Sequence, residues 1–182
     1  MNTSPRLPLS LIPLTALQNA RTVLTPEQWR AAARQTYARA GHRCEACATP
    51  YPSGSSLGSG GWEAHETWLF EEGGVQKLVA LRNLCQRCHK TTHLSFTRSR
   101  SGSDAVAAAA LAHLARVNGW TSPAVAAEYA RLELAICQAR SRQTWKLDLS
   151  LLREFGIEPA RARTSSPLPS GRSWWQRFLG TA

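Results

Sequence analysis

The sequence CQRCHKTTH at residues 85–93 decides the fold of this chain, because it joins a metal-binding cysteine pair to two histidines. Cys85 and Cys88 form a CxxC turn, in which both thiolates can lie on the same side of the backbone. His89 and His93 are four residues apart, so both imidazoles project from one face if the stretch is helical. The stretch therefore predicts two neighbouring metal sites, one with sulfur ligands and one with nitrogen ligands.

A second CxxC pair, Cys44 and Cys47, lies upstream of this stretch. Zinc in a closed structural site prefers four soft ligands, so the two pairs predict one tetrahedral zinc site. The chain has five cysteines, and this odd count argues against a disulfide framework and for a reducing compartment. A redox dithiol would occur once, near a βαβ pattern that the sequence lacks. The fifth, Cys137, is expected to be a small buried hydrophobe on a helix.

The residues between the two pairs predict a β-hairpin that brings a third histidine to the site. The stretch 49–61 is rich in Gly, Ser and Pro and predicts a loop. Residues 62–70 and 75–81 predict two strands around a turn at 71–74. His65 on the first strand can then join His89 and His93 around one divalent ion, with a position left open for a phosphate oxygen. Alternatively, His89 only supports the zinc turn and His93 is exposed.

The layout CxxC … HE … CxxCHxxxH resembles that of HNH (ββα-metal) nucleases over about residues 41–95. The longer wording, WEAHETW … VQKLVALRNLCQRCHKTTH, also resembles an uncharacterised bacterial HNH-like subgroup with an HE pair. The resemblance implies an α+β fold, with a zinc-stapled treble-clef module packed with several α-helices. It makes His89 and His93 metal ligands. In the better register His65 is a ligand and Glu66 takes the position of the base histidine.

Two departures from the HNH pattern affect the catalytic positions. In the other register His65 is the base, and Ala64 then stands where the family has a ligand. Ala80 occupies the position of the family's asparagine, and Asn83 lies on the opposite strand face. A glutamate such as Glu66, with an ordinary pKa near 4.3, is a weak base unless its environment raises that value.

The resemblance implies hydrolysis of DNA phosphodiester bonds, with Glu66 and His65 as catalytic residues. It implies structural Zn²⁺ and a second divalent ion, which can be Mg²⁺, Mn²⁺, Ni²⁺ or Zn²⁺. Two other functions stay open. One is an inactive zinc-bound module that binds nucleic acid, and the other is an adaptor recruited through its C-terminal tryptophans.

The charge of the chain favours a polyanionic partner. Its formal net charge is +10 and its isoelectric point is near 10.3, so counterion release can drive binding to DNA. Four basic residues near the metal sites are expected to contact phosphates: Arg87, Lys90, Arg98 and Arg100. The alternative is a solvated helix face and a charge that only keeps the protein soluble.

Composition predicts four segments. Residues 1–24 are expected to be extended because of three prolines, and residues 25–100 to hold a helix and the metal module. Residues 101–159 are expected to be helical, with a short strand near Trp145. Residues 160–182 are expected to form a disordered basic tail. Apolar stripes along two helices are expected to face the interior: Trp29, Ala33 and Tyr37 in one, and Val125, Tyr129, Leu132 and Ile136 in the other.

The tail ends in large apolar residues, including Trp174 and Trp175, which predict a protein partner bound through residues 172–182. Folding back onto the domain and contact with a membrane surface are the alternatives. The chain has no apolar run of about 18 residues and no convincing signal peptide, so we expect a cytoplasmic protein without a membrane partner. His42 and His113 lack ligand spacing and are expected to be ordinary surface or helix histidines.

Overall fold

The computed structural model describes residues 4–16, 18–51 and 62–158, except for the side chains of four residues: Phe96, Arg98, Ser99 and Arg100. The fold is mixed α+β, with a three-stranded sheet and several helices. The predicted tail at 160–182, with its proposed docking stretch at 172–182, lies outside the described residues. So do most of the predicted loop at 49–61 and the side chains of two predicted phosphate contacts, Arg98 and Arg100.

The sheet is built on the predicted hairpin. Strand β1 (Trp62–Glu71) pairs antiparallel with β2 (Val75–Cys85), and Trp62 lies opposite Cys85. Strand β2 extends to the second CxxC pair, four residues beyond its predicted end. The turn has Gly73 and Gly74 at positive φ, and a side chain at Gly74 would meet the Thr144 carbonyl oxygen at 2.7 Å. Strand β3 (Lys146–Asp148), predicted as the short strand, pairs parallel with β2.

Helix α2 (Pro26–Arg39) packs on the hairpin and begins where the sequence predicts. Thr25 and Gln28 form a capping box, and Pro26 takes the first helical position. Ala33 and Tyr37 are buried against Ala64, with Trp29 packed beside them. The Tyr37 hydroxyl donates a hydrogen bond to the Trp62 carbonyl at 3.4 Å. The predicted packing of this stripe on the metal module is confirmed.

The N-terminal part of the chain crosses the helices as an extended strap, residues 7–15. Asn118 holds it from both sides: its Oδ1 accepts from the Leu7 N–H at 2.9 Å, and its Nδ2 donates to the Leu7 carbonyl at 3.1 Å. The Ser10 N–H donates to the Thr92 carbonyl at 2.8 Å. Residues 20–23, predicted as extended, instead form a short helix α1 (Ala20–Val23), because Asn19 caps it with a complete capping box.

Most of the chain after β2 is helical, and these helices complete the fold. Helices α3 (Gln86–Thr92) and α4 (Leu94–Ser101) follow β2 directly. Helix α5 (Asp104–Asn118) ends at Gly119, which takes the left-handed conformation. Helix α6 (Pro123–Arg140) packs on α5, and a 3₁₀ helix (Ser150–Phe155) closes the described chain. None of the helices in the described ranges combines the length and hydropathy needed to cross a bilayer.

The predicted apolar stripe of α6 is wrong for three of its four residues. Val125, Leu132 and Ile136 are 43%, 48% and 43% exposed, and only Tyr129 packs against the core. The buried position on this helix is Ala126, whose small side chain lies in the core cluster that also contains Leu7 of the strap. Hydrophobic periodicity identified residues that share a helix face, but that face is not the one that α5 and the strap cover.

Candidate metal centres

The first candidate centre is a cluster of four cysteines. Cys44 and Cys47 lie in the turn that follows α2, Cys85 ends β2, and Cys88 lies in the first turn of α3. Their sulfur atoms all lie within 4.8 Å of one another, and Cys44 and Cys88 are fully buried. These four cysteines can hold a metal such as zinc, which is the predicted ligand set.

Local hydrogen bonds hold the two cysteine turns together. The Ala48 N–H donates to the Cys44 carbonyl at 2.8 Å and closes the first turn. The Glu45 N–H donates to the Asn83 carbonyl at 2.9 Å, and Asn83 Nδ2 donates to the Arg43 carbonyl at 2.8 Å. These two hydrogen bonds of Asn83 join β2 to the first cysteine turn. The Asn83 side chain is completely buried.

Three of the four thiols, those of Cys44, Cys85 and Cys88, share their protons unequally. Hydrogen bonds from Cys85 and Cys88 lower the pKa of Cys44. The hydrogen bond to Cys44 raises the pKa of Cys85. Hydrogen bonds to Cys44 and Cys85 raise the pKa of Cys88. The cluster thus concentrates negative charge on one buried sulfur. A divalent cation that displaces the remaining protons is the ligand that such a group favours.

The second candidate centre is formed by the three predicted histidines. His65 lies on β1, His89 lies in α3, and His93 is the residue that ends α3. The ring centroids are 5.4 Å apart for His65 and His89, 4.9 Å for His65 and His93, and 4.8 Å for His89 and His93. One ring nitrogen of each lies within 4.8 Å of those of the other two, so this triad can hold a metal ion.

Burial keeps the triad neutral. Burial, followed by the charges of His93 and His89, lowers the pKa of His65 to about 2. Burial, followed by the charge of His89, lowers the pKa of His93 to about 4, and burial also lowers the pKa of His89. Neutral imidazole is the form that coordinates a metal. At neutral pH all three rings are therefore available as ligands.

An ion pair lies at the edge of the triad. Arg21 Nη2 donates to Glu63 Oε2 at 3.0 Å, and the guanidinium lies over the Trp29 ring with its carbon 4.6 Å from the ring centroid. The Arg21 charge contributes to the lowered pKa of all three histidines, whereas Glu63 acts in the opposite direction on His89. The Arg21 side chain is 52% exposed, so its donors can also reach a ligand.

Sequence reasoning gave neither Arg21 nor Glu63 a role at the site. Glu63 could have been found, since it lies two residues before His65 and thus on the same strand face. Arg21 carries no such signal, because only the tertiary placement of α1 brings it to β1.

Glu66, predicted as base or as a further ligand, belongs to neither cluster in the described structure. Its Oε1 accepts a hydrogen bond from the backbone N–H of Arg21 at 3.2 Å. Burial raises the pKa of Glu66, although that hydrogen bond acts to lower it. A raised pKa suits a base, but the Glu66 carboxylate is already hydrogen-bonded to the backbone at the start of α1. Its catalytic role stays a prediction.

A cleft of about 100 Å³ opens beside the triad. His65 lines it together with the strap, and four charged residues contribute to the lining: Glu66, Glu133, Arg82 and Arg140. The Arg82 charge is close enough to lower the pKa of His65. Charges of both signs therefore lie in the cleft beside His65.

The other predicted residues have different surroundings. Arg87 and Lys90 are exposed on α3, where phosphate contact is sterically open. Cys137 is half-buried rather than fully buried, and burial raises its pKa to about 11. His42 is exposed, as expected.

The prediction that His113 is an ordinary surface or helix histidine is wrong. His113 is buried beside the cysteine cluster and is only 2% exposed. Burial, followed by the charges of Arg87 and Arg116, lowers its pKa to about 4. Its position could not be found from ligand spacing, because it does not belong to the motif.

Comparison with protein-family models, with curated proteins and with solved structures gives no match to this chain. The geometry of the two centres and the motif that carries them are therefore the features that point to a function.

Proposed function

We propose that this protein is an HNH-like, metal-dependent endonuclease that hydrolyses phosphodiester bonds in DNA. The observation that carries the proposal is the triad of His65, His89 and His93, gathered beside a four-cysteine cluster. Cys88 and His89 are consecutive residues of α3, so one short helix contributes to both centres. This layout supports a treble-clef module in which zinc holds the backbone and a second ion takes part in chemistry.

In this proposal the histidines bind the metal ion and Arg21 binds the phosphate. His65, His89 and His93 would hold a divalent ion, which supplies Lewis-acid stabilisation of charge on the phosphate and lowers the pKa of a bound water. Arg21 offers a half-exposed guanidinium at the edge of the triad, suited to a second phosphate oxygen. Its partner Glu63 keeps that guanidinium in place.

Two carboxylates are candidates for the base that takes a proton from the attacking water. Glu66 is the candidate by motif, and its pKa is raised by burial. Glu63 is the candidate by position, because its charge acts on His89 and it shares the strand face of His65. We assign the role to Glu63, because it shares the strand face of His65 and its pair with Arg21 is exposed, whereas Glu66 is hydrogen-bonded to the backbone of α1.

A supercoiled-plasmid nicking assay in Mg²⁺, Mn²⁺, Ni²⁺ or Zn²⁺ tests this proposal. The full chain should nick the plasmid, and His89→Ala should abolish nicking. His42→Ala is the matched control, since His42 is an exposed histidine outside both clusters, and it should nick at the wild-type rate. Nicking that survives His89→Ala would exclude the triad as the catalytic centre.

Two observations favour a second function, a zinc-bound module that binds nucleic acid without cutting it. Ala80 stands at the position of the HNH asparagine, and Glu66 is held at α1 rather than at the triad. The net charge of +10 supports binding in either case. Retarded migration of DNA, with intact supercoils in every metal, would select this second function.

A further inference from the structure

His113 on α5 contacts the cysteine cluster from outside the motif. Its Nε2 lies 3.2 Å from Cys88 Sγ, within hydrogen-bonding distance for sulfur. Both side chains are almost completely buried, with 2% of His113 and 0% of Cys88 exposed. On the other side of the ring, Arg116 Nη2 lies 2.8 Å from His113 Nδ1.

Only one assignment of donors and acceptors fits the contacts from Arg116 through His113 to Cys88. Arginine carries donors and no acceptor, so Nδ1 of His113 must accept the hydrogen bond from Arg116. The single ring hydrogen therefore lies on Nε2, and it points to the Cys88 sulfur. Cys88 is then the acceptor, a role that its sulfur fills best as a metal-bound thiolate.

We propose that Arg116 and His113 form an outer-shell relay that donates a hydrogen bond to the Cys88 thiolate and thereby retains zinc in the four-cysteine site. This inference rests on the zinc part of the proposed function and not on nuclease activity. Four thiolates around one zinc ion carry a net negative charge in a buried place. A charge-assisted donor orients the ligand and offsets that charge.

The relay differs from the other side-chain contact to the cluster. Cys47 Sγ lies 3.1 Å from the hydroxyl of Thr49, a residue of the same turn that is exposed to solvent. His113, by contrast, comes from a helix outside both CxxC turns and excludes water from Cys88. Its hydrogen bond therefore also couples the docking of α5 to the presence of the metal.

Two substitutions separate hydrogen bonding from packing at position 113. His113→Leu fills a similar volume without a donor, whereas His113→Gln keeps an N–H in place of the ring Nε2–H. Arg116→Ala removes the exposed end of the relay without touching the core. Arg131→Ala is the matched control, because Arg131 is an exposed arginine on α6 that pairs with Glu128, away from the cysteine cluster.

The measurement is the rate of zinc release from the full-length, zinc-loaded chain to a chromophoric chelator. We expect release about 10- to 100-fold faster in His113→Leu, the range typical of lost outer-shell partners. His113→Gln should stay close to the wild-type rate, Arg116→Ala should release faster than wild type, and Arg131→Ala should not change.

Cobalt substitution gives a readout that packing alone does not move. Loss of the hydrogen bond makes the thiolate a better electron donor. The sulfur-to-cobalt charge-transfer band should therefore move to lower energy in His113→Leu and Arg116→Ala, but not in His113→Gln.

Several outcomes would overturn the relay. One is His113→Gln releasing zinc as fast as His113→Leu, and another is Arg116→Ala leaving both the release rate and the band unchanged. If His113→Leu does not fold, the Gln and Arg116 variants decide the question. A chain that takes up no zinc would refute the zinc site itself, whereas a zinc-loaded chain with unaltered variants would refute only the relay.

Discussion

The Glu66 carboxylate accepts a hydrogen bond from the backbone N–H of Arg21 at 3.2 Å, while its neighbour His65 packs with the other two histidines. Successive side chains of a strand point to opposite faces, so His65 lies against the other two histidines and Glu66 lies at the first turn of α1. The HE pair of the motif is thus divided between a candidate chemical role and a structural one.

Glu66 should therefore matter more for stability than for cleavage. Glu66→Ala leaves a backbone N–H at α1 without its acceptor, and because that hydrogen bond is exposed we expect a loss of about 0.5–1.5 kcal/mol in the free energy of unfolding. Glu66→Gln keeps an acceptor oxygen and should lose less, with nicking within a few-fold of wild type. Urea denaturation and the plasmid assay measure the two quantities.

Glu63→Gln provides the opposite comparison. If Glu63 is the base, this variant should slow nicking by about 10²-fold or more, the usual contribution of a general base. Its stability should change little, because Glu63 forms an exposed ion pair with Arg21. A fast Glu63→Gln enzyme combined with an inactive but folded Glu66→Gln enzyme would return the role to Glu66.

The two clusters should bind metal independently. His89→Ala removes one of three ligands from the triad, so we expect the affinity for a second divalent ion to fall by more than about 100-fold while zinc is retained. Metal analysis after dialysis and Mn²⁺ titration calorimetry measure these two sites. His42→Ala should keep both ions.

Cys88→Ser should have the larger structural effect. It removes one of the four cysteines that can hold zinc, and this residue lies in the core cluster with Leu84 and Leu114. Structural zinc sites contribute directly to folding. We expect zinc loss and a much lower melting temperature. A Cys88→Ser protein that keeps zinc and melts like wild type would show that the cysteines do not form one site.

The parts of the site that the sequence predicts are those built from local spacing. A CxxC turn brings its own two sulfurs together, and His89 and His93 share a helix face whatever surrounds them. Helix starts such as Thr25 with Pro26 are equally local, since the capping side chain and the backbone it caps are three residues apart. These features hold in the structure.

The parts that the sequence does not predict depend on which elements meet. His113 reaches Cys88 only because α5 packs on α3, and Arg21 reaches Glu63 only because α1 packs at β1. Likewise, the spacing of Val125, Leu132 and Ile136 shows that they share a face, but not that this face is left exposed. Tertiary packing supplies that information, and a single sequence carries little of it.

The exposed face of α6 should tolerate charge. Leu132→Glu places a carboxylate at a position that is 48% exposed, so we expect a change within about 0.5 kcal/mol in the free energy of unfolding. Ala126→Leu should instead cost about 1–3 kcal/mol, because Ala126 is fully buried and a larger side chain would overpack the core. Urea unfolding of both variants measures the difference. A large loss in Leu132→Glu would mean that this face is covered.

The strap should depend on Asn118 for its attachment. Asn118→Ala removes the partner of both the N–H and the carbonyl of Leu7, a residue that is 0% exposed. Since buried backbone groups without partners are costly, we expect a loss of about 1–3 kcal/mol in the free energy of unfolding and faster hydrogen exchange at Leu7 and Ser10. Gln138→Ala, at an exposed position of α6, is the control and should change neither. If exchange at Leu7 stayed slow in Asn118→Ala, other contacts would hold the strap. Because the strap also lines the cleft beside His65, loosening it should widen access to the triad.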